Sequence, residues 1–332
     1  MAAIEAYLSA HRRQAGRWAL AGVLLAAALV APFGFYPLFL MKALCWALFA
    51  CAFNLLMGYV GMASFGHAAF FGGAAYVAAH TVKFWGVGTI GGILLGTALA
   101  TVMGALFGWL AIRRHGIYFA MVTLALAQMV YFFCLEAKFT GGEDGIQAVP
   151  RGTLLGFIDL NKPLPMYYFV LAVFLIGFVI INRTIASPFG QVLKAIRENE
   201  PRAVSLGYRT EHYKLVAFTL SAALAGMAGA TKALVFQLAS LTDVNFTSSG
   251  DVLLMTLLGG MGTVMGPVVG AFILVTMENY LAQFGSWVTI IEGVIFVICV
   301  LTFRRGVVGE IDALLRRRVL SSASAAPDPS PG

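Results

Sequence analysis

In the stretch Gly88-Thr-Ile-Gly-Gly-Ile-Leu-Leu-Gly-Thr-Ala-Leu-Ala-Thr-Val-Met-Gly-Ala-Leu-Phe-Gly108 a small residue recurs at every fourth position: Gly88, Gly92, Gly96, Ala100, Gly104 and Gly108. On a helix these positions share one face. In water such a smooth face buries little. In lipid, where contact between helices brings little hydrophobic gain, close approach of backbones supplies the packing. The stretch therefore predicts a membrane-spanning helix with a tight helix–helix seam. Shorter stripes at Ala222/Gly226/Ala230 and Gly262/Gly266/Gly270 predict further seams.

The rest of the chain agrees with lipid as its solvent. Of 332 residues, 60% are hydrophobic and 11% charged, against roughly 45–50% and about 25% in soluble domains. One soluble core of this size has no room for that surplus. Apolar segments fall near 18–33, 37–57, 62–80, 88–110, 117–135, 166–182, 214–238, 251–264, 267–283 and 287–303. A spanning helix takes about 20 apolar residues, so the expected architecture is an all-α polytopic bundle of about ten crossings. Arg12, Arg13 and Arg17 before the first run also fit a cleaved signal. The interfacial Trp18 and the continuous apolar sequence beyond it favour a retained span.

Charge sets the expected orientation. The net charge of +7 does not point to nucleic acid, because the basic residues sit in the gaps between apolar runs. Basic stretches at His11–Arg17, Arg113–His115, Arg183–Lys214 and Arg304–Arg318 should be cytoplasmic by the positive-inside rule. The loop 136–165 is net acidic, with Glu136, Glu143, Asp144 and Asp159 against Lys138, Arg151 and Lys162, and should face outward. Both termini are then cytoplasmic, and the crossings must be even in number. That parity makes 251–264 and 267–283 two crossings rather than one. The domain plan is a cytoplasmic segment 1–17, a membrane domain 18–303 and a cytoplasmic tail 304–332. The small, polar, proline-bearing sequence from Val319 predicts disorder in that tail.

Two glycine-rich breaks interrupt apolar sequence, at Gly58–Gly66 and at Gly259–Pro267. Lipid leaves broken backbone unsatisfied, so such breaks belong inside protein or beside a water-filled path. Tight turns are the alternative use. Polar residues within apolar runs include Lys42, Asn54, Ser64, His67, Thr123, Gln128, Lys232, Gln237 and Glu292. Of these, Asn54, Ser64, His67, Thr123 and Gln128 are the candidates for a translocation path, with an interior histidine equally consistent for His67. Lys42 is placed to snorkel, and Glu292 is a candidate partner for Lys232.

The cytoplasmic stretch 183–213 carries a docking signal. Ser187 precedes Pro188 as an N-cap precedes a first helical proline. Val192, Leu193 and Ile196 fall at helical spacing, and so do Ala203, Val204 and Leu206, with Pro201 between the groups and Gly207 as a stop. Two short amphipathic helices of this kind suit a soluble partner, with Arg197, Glu198, Glu200, Ala203, Leu206 and Gly207 as the candidate contacts.

Several chemistries lack their residues. There is no G-x-x-x-x-G-K-[ST] phosphate loop, so the chain is not expected to bind ATP in that manner. Gly86-Val-Gly-Thr-Ile-Gly91 matches G-x-G-x-x-G but follows no predicted strand and lacks the distal acidic residue. No zincin or nucleophile-elbow motif occurs, and Cys45, Cys51, Cys134 and Cys299 lie singly in apolar runs. No catalytic or metal-ligating residues are assigned.

Taken together, Asn54-Leu-Leu-Met-Gly-Tyr-Val-Gly-Met-Ala-Ser-Phe-Gly-His-Ala-Ala-Phe-Phe-Gly72, Gly116-Ile-Tyr-Phe-Ala-Met-Val-Thr-Leu-Ala125 and Thr140-Gly-Gly-Glu-Asp-Gly145 resemble the LivM-type permeases of branched-chain amino acid ABC importers. Ala195 through Gly207, followed by Lys214 to Gly229, is similar to that family's coupling loop and following helix. The likeness covers roughly residues 35–310. It implies a sister permease, two ATP-binding subunits holding ATP and Mg, and an extracytoplasmic solute-binding protein as partners. The family's glutamate–alanine–alanine coupling pattern is only partly kept, since Pro201-Arg202 follow Glu200. Urea permeases share much of the pattern. A stand-alone secondary transporter or channel is the competing class, and a membrane enzyme would need a cluster of His, Cys or carboxylates that this sequence does not supply.

Overall fold

The computed structural model describes residues 22–23, 25–154, 158–281, 283, 285, 287–302 and 306–310. The expectations for the first basic stretch, Trp18, Arg304, Arg305 and the tail lie outside these residues, as do the side chains of Glu292 and Cys299. The described chain is helical almost throughout. Its elements are α1 (Pro37–Tyr59), α2 (His67–Phe84), α3 (Thr89–Ala111), α4 (Ile117–Glu136), α5 (Pro163–Ala186), α6 (Pro188–Glu198), α7 (Glu200–Ser205), α8 (Thr210–Phe236), α9 (Leu241–Val244), α10 (Phe246–Gly259), α11 (Gly266–Leu281) and α12 (Trp287–Thr302). Four two-residue strands lie in the loops: β1 (Ile146–Gln147), β2 (Thr153–Leu154), β3 (Ile158–Asp159) and β4 (Leu238–Ala239).

Among the described residues five helices, α1, α3, α4, α5 and α8, are long and apolar enough to cross a membrane. The helices α10 and α11 are shorter, at 14 and 16 residues. At 1.5 Å per residue they reach only about 21 and about 24 Å, less than the hydrocarbon thickness of about 30 Å. They form an antiparallel hairpin. Its seam consists of Gly259, Gly266 and Gly270, where a Cβ would overlap facing backbone. Gly262, expected in that stripe, sits instead in the turn between the two helices.

The helix α1 is the hub, buried on nearly every side by α2, α5, α8, α10 and α11. The expected stripe on α3 packs antiparallel against the stripe on α8. A Cβ at Gly96 would lie 2.7 Å from Ala74 O and 3.1 Å from Ala230 Cβ. Ala100 faces Gly226, Gly104 faces Ala222, and Gly108 faces Leu215 and Phe218. Gly92 packs on Ala78 and Val82 of α2. Gly88 departs from the expectation. It precedes α3 as the N-cap residue, and nothing lies within 4 Å of a Cβ built on it. The helix starts one residue too late to include it.

The bundle has two distinct ends. At one end the net-acidic segment after α4 straps the helix tips. Here β1 pairs antiparallel with β4, and β2 with β3. Lys83 Nζ donates to Gln147 O at 2.6 Å. Arg151 donates to Val235 O at 2.6 Å and Leu234 O at 3.3 Å, covering last-turn carbonyls of α8. At the other end lie the turn 112–116, helices α6 and α7, and both glycine-rich breaks. His115 Nδ1 stands 3.6 Å from Glu200 Oε2, and Gly306 packs on Gly260. Two of the four basic stretches, Arg113–His115 and Arg183–Lys214, thus border one face, and the acidic loop borders the opposite one.

Candidate functional site

The two glycine-rich breaks, about 200 residues apart in sequence, meet at the basic end. The first runs from the end of α1 to the start of α2, and the second joins α10 to α11. A Cβ on Gly58 would lie 2.7 Å from Gly262 N, so the missing side chain lets the two turns touch. Asn54 closes the contact: its Nδ2 donates to Thr263 O at 2.9 Å, and its Oδ1 accepts from Gly262 N at 3.0 Å. Thr263 in turn caps α11, accepting from Gly266 N at 3.0 Å and donating to Gly260 O at 2.8 Å.

Helix α6 leans on this junction. Ser187 caps it by accepting from Gly190 N at 3.3 Å, and Pro188 occupies the first turn. Leu193 and Ile196 are buried beneath it. On the side facing α1, Lys194 stacks over the Tyr59 ring at 5.8 Å, and Arg197 Nη1 donates to Gly58 O. The break before α7 lies at Asn199 rather than at Pro201. Asn199 is in extended backbone and its side chain accepts from Arg202 N at 3.1 Å, while Pro201 falls in the first turn of α7, where no N–H is needed.

The six coupling candidates divide by environment. Arg197, Glu198, Leu206 and Gly207 are exposed, whereas Ala203 is buried under α7 and packs inward. Glu200 is tied to the bundle by an ion pair with the buried Lys214, and its other oxygen lies 3.6 Å from His115 Nδ1. Burial pushes its carboxyl upward, but the hydrogen bond and charge of Lys214, helped by Thr210 and His115, outweigh burial and hold it below the ordinary glutamate value. Arg197 faces the glycine turns. Val204 of α7 and Leu206 just after it present apolar side chains that are 53% and 69% exposed.

Four of the five path candidates are buried and bonded within the chain. Besides Asn54, these are Ser64, whose Oγ accepts from Gly66 N at 3.2 Å, and Thr123, whose Oγ1 accepts from Phe65 N at 3.2 Å. Both shape the turn leading into α2. His67 is fully enclosed, with the rings of Phe53, Phe70 and Phe218 edge-on at 5.2, 5.6 and 5.8 Å. Its Nε2 meets Ser221 Oγ at 2.8 Å. Ser221 spends its single proton on Ala52 O, so Nε2 must carry the hydrogen. His67 is thus a core residue joining α1, α2 and α8. Gln128 lies half-buried on α4.

The polar residues in apolar runs find partners that sequence reading missed. Lys42 does not simply snorkel, because its ammonium pairs with Glu278 of α11 at 2.8 Å. Lys232 pairs with the buried Asp243 of α9. Gln237 ends α8 in the left-handed region. Ser249 Oγ accepts from Ala68 N at 2.8 Å at the start of α2. Cys45, Cys51 and Cys134 are buried free thiols. Among the described residues no group of three or more His, Cys, Asp or Glu is placed to hold a metal ion.

Comparison with known proteins gives this arrangement a lineage. The high-affinity branched-chain amino acid transport system permease protein LivM of Escherichia coli (strain K12) is 29% identical over 74% of this chain and 63% of its own length. The LivM protein of Salmonella typhimurium is 28% identical over the same shares. The ribose import permease protein RbsC of Bacillus subtilis (strain 168) is 29% identical over 54% of this chain and 58% of its own. The chain therefore spans a little under two thirds of these LivM relatives. No solved structure gives a significant match. The sequence pattern of the family described as "Branched-chain amino acid transport system / permease component" matches residues 36–301, which takes in every described helix from α1 to α11 and nearly all of α12. The chain belongs to that family of transport-system permease components.

Proposed function

We propose that this chain is the membrane-spanning permease subunit of an ATP-driven importer. It translocates the branched-chain amino acids leucine, isoleucine and valine, delivered by an extracytoplasmic binding protein. A sister permease completes the membrane unit, and two ATP-binding subunits, which hold the ATP and Mg, dock on the α6–α7 face. In this reading that face is cytoplasmic, the bundle crosses a bacterial inner membrane about ten times, and both termini lie in the cytoplasm.

The observation that carries the reading is the α6–α7 unit. It shows exposed Val204 and Leu206 outward and is bonded inward to the first glycine turn through Arg197, whose head lies beside the second. A stand-alone channel has no use for an apolar surface in an aqueous loop. The solute route is placed along the two turns, beside Asn54, Ser64 and Thr123, where a zwitterion would meet helix termini rather than a deep charged site. The enclosing phenylalanines put His67 behind that route. Gln128, a polar group on an otherwise apolar face, is placed toward the sister permease rather than lipid. Similarity to RbsC supports a second reading, a sugar-like solute, over a smaller share of the chain.

The test is co-purification of the chain from mild detergent with ATP-binding subunits, followed by uptake in proteoliposomes supplied with the binding protein. ATP-dependent leucine uptake that ribose does not compete for is expected. Uptake by the purified chain alone, without an ATPase, would overturn the proposal.

A further inference from the structure

Arg197 is where three separate segments converge. The backbone N–H groups of Val60, Gly61 and Met62 all turn back to Leu56 O. That leaves Gly58 O as a free last-turn carbonyl of α1, a position that favours a cationic donor. Arg197 takes it. Two glycines line the path of its side chain. A Cβ at Gly61 would lie 3.2 Å from Arg197 Cγ, and a Cβ at Gly262 would lie 3.0 Å from Arg197 Nη1. The Arg197 side chain, rooted on α6, is therefore bonded to the first glycine turn and lies beside the second.

We infer that Arg197 is a positioning residue that joins α6 to both glycine turns, so that the three move as one body when α6 is displaced. The inference rests on the proposed docking of an ATPase at α6–α7, and it adds the residue through which displacement reaches the turns. Asn54 carries the link onward to residues 262–263. The planar, multi-donor guanidinium of arginine suits such a joint better than a lysine point charge.

The experiment uses the full complex in proteoliposomes, measuring ATP hydrolysis and leucine uptake together. Arg197→Ala should assemble and hydrolyse ATP while uptake per ATP falls by about tenfold or more, within the span of ordinary coupling energies. Arg197→Lys should fall between. A Cβ at Gly61 would lie 3.8 Å from Arg197 Cβ, inside the disulfide range; a cysteine at this φ of +83° carries the left-handed backbone penalty, which Gly61→Cys alone measures. Gly61→Cys with Arg197→Cys should therefore be uncoupled when reduced, and should regain uptake several-fold on oxidation. An unchanged uptake ratio in Arg197→Ala overturns the inference, and so does a disulfide that stops uptake until it is reduced. Should Arg197→Ala fail to assemble, the oxidised double variant must still assemble and transport, and its failure overturns the inference too. Wild-type vesicles without ATP-driven uptake would instead sink the importer reading itself.

Discussion

Asn54 holds Thr263 and its neighbour with both ends of one side-chain amide, donating from Nδ2 to the Thr263 carbonyl and accepting at Oδ1 from the Gly262 N–H. The amide is 2% exposed, so no water replaces either bond. Asn54→Asp keeps the shape but replaces the donor with a second acceptor facing a carbonyl. It should lower the thermal stability of the detergent-solubilised chain by about 1–3 kcal/mol, the cost of a buried group left unsatisfied. Asn54→Ser should lose a similar amount. Thermal unfolding of the two variants checks this, and an unchanged midpoint in both would show that the glycine turns hold together without Asn54.

The seam between α3 and α8 gives a paired prediction. At Gly96 a new Cβ meets the backbone oxygen of Ala74, which cannot move aside. Gly96→Leu should therefore cost about 3 kcal/mol or more, the upper range for overpacking, and deplete the folded protein in membranes. Gly88→Leu, in the same four-residue register but with open space around it, should lose only the helix-start preference of glycine over leucine, about 1 kcal/mol, and leave yield largely intact. Equal loss in both variants would mean that sequence register, not this packing, sets their effect.

What the sequence discloses, and what it hides, follows from the range of each interaction. A four-residue stripe of small residues has one economical use in lipid, so Gly92 to Gly108 and Ala222 to Ala230 are readable as packing faces. That the two faces meet each other is a tertiary choice with no local signature. The start of α6 is legible because Ser187 and Pro188 act within one turn. The start of α7 is not, because Pro201 draws the eye from Asn199, whose side chain does the capping. Lys42 and Glu278 stand 236 positions apart, beyond any rule of spacing. Ser64 and Thr123 read as path residues because their hydroxyls sit in apolar runs. Only the fold shows that those hydroxyls are already engaged by the turn before α2.

The docking of α7 should depend on acid in one direction. Glu200 keeps its charge to lower pH in the folded state than in the unfolded state, where its value is near 4.5. Its contribution is therefore fully present above that value and is lost as pH falls through the lower folded value. A spin label on Val204→Cys, at an exposed position of α7, should gain mobility as pH drops below the ordinary glutamate value. Glu200→Gln should be mobile already at neutral pH and lose most of that dependence. A pH response that persists undiminished in Glu200→Gln would place the titrating group elsewhere.

Gly207 separates the geometry of the docking surface from its stability. It adopts φ +89°, and nothing lies within 4 Å of a Cβ built there. Gly207→Ala meets no neighbour and carries only the left-handed backbone penalty, about 1–2 kcal/mol, borne by a short exposed turn. It should insert, assemble and retain most uptake. Gly207→Trp carries the same backbone penalty and adds a bulky ring beside the exposed Leu206, on the surface proposed for the ATPase. It should insert in the membrane as well as the alanine variant does, yet fail to co-purify with ATP-binding subunits and show no ATP-driven uptake. Comparing the two removes backbone strain as an explanation. Normal uptake in Gly207→Trp would mean that the partner sits elsewhere, and the exposed Val204 and Leu206 would then need a different occupant.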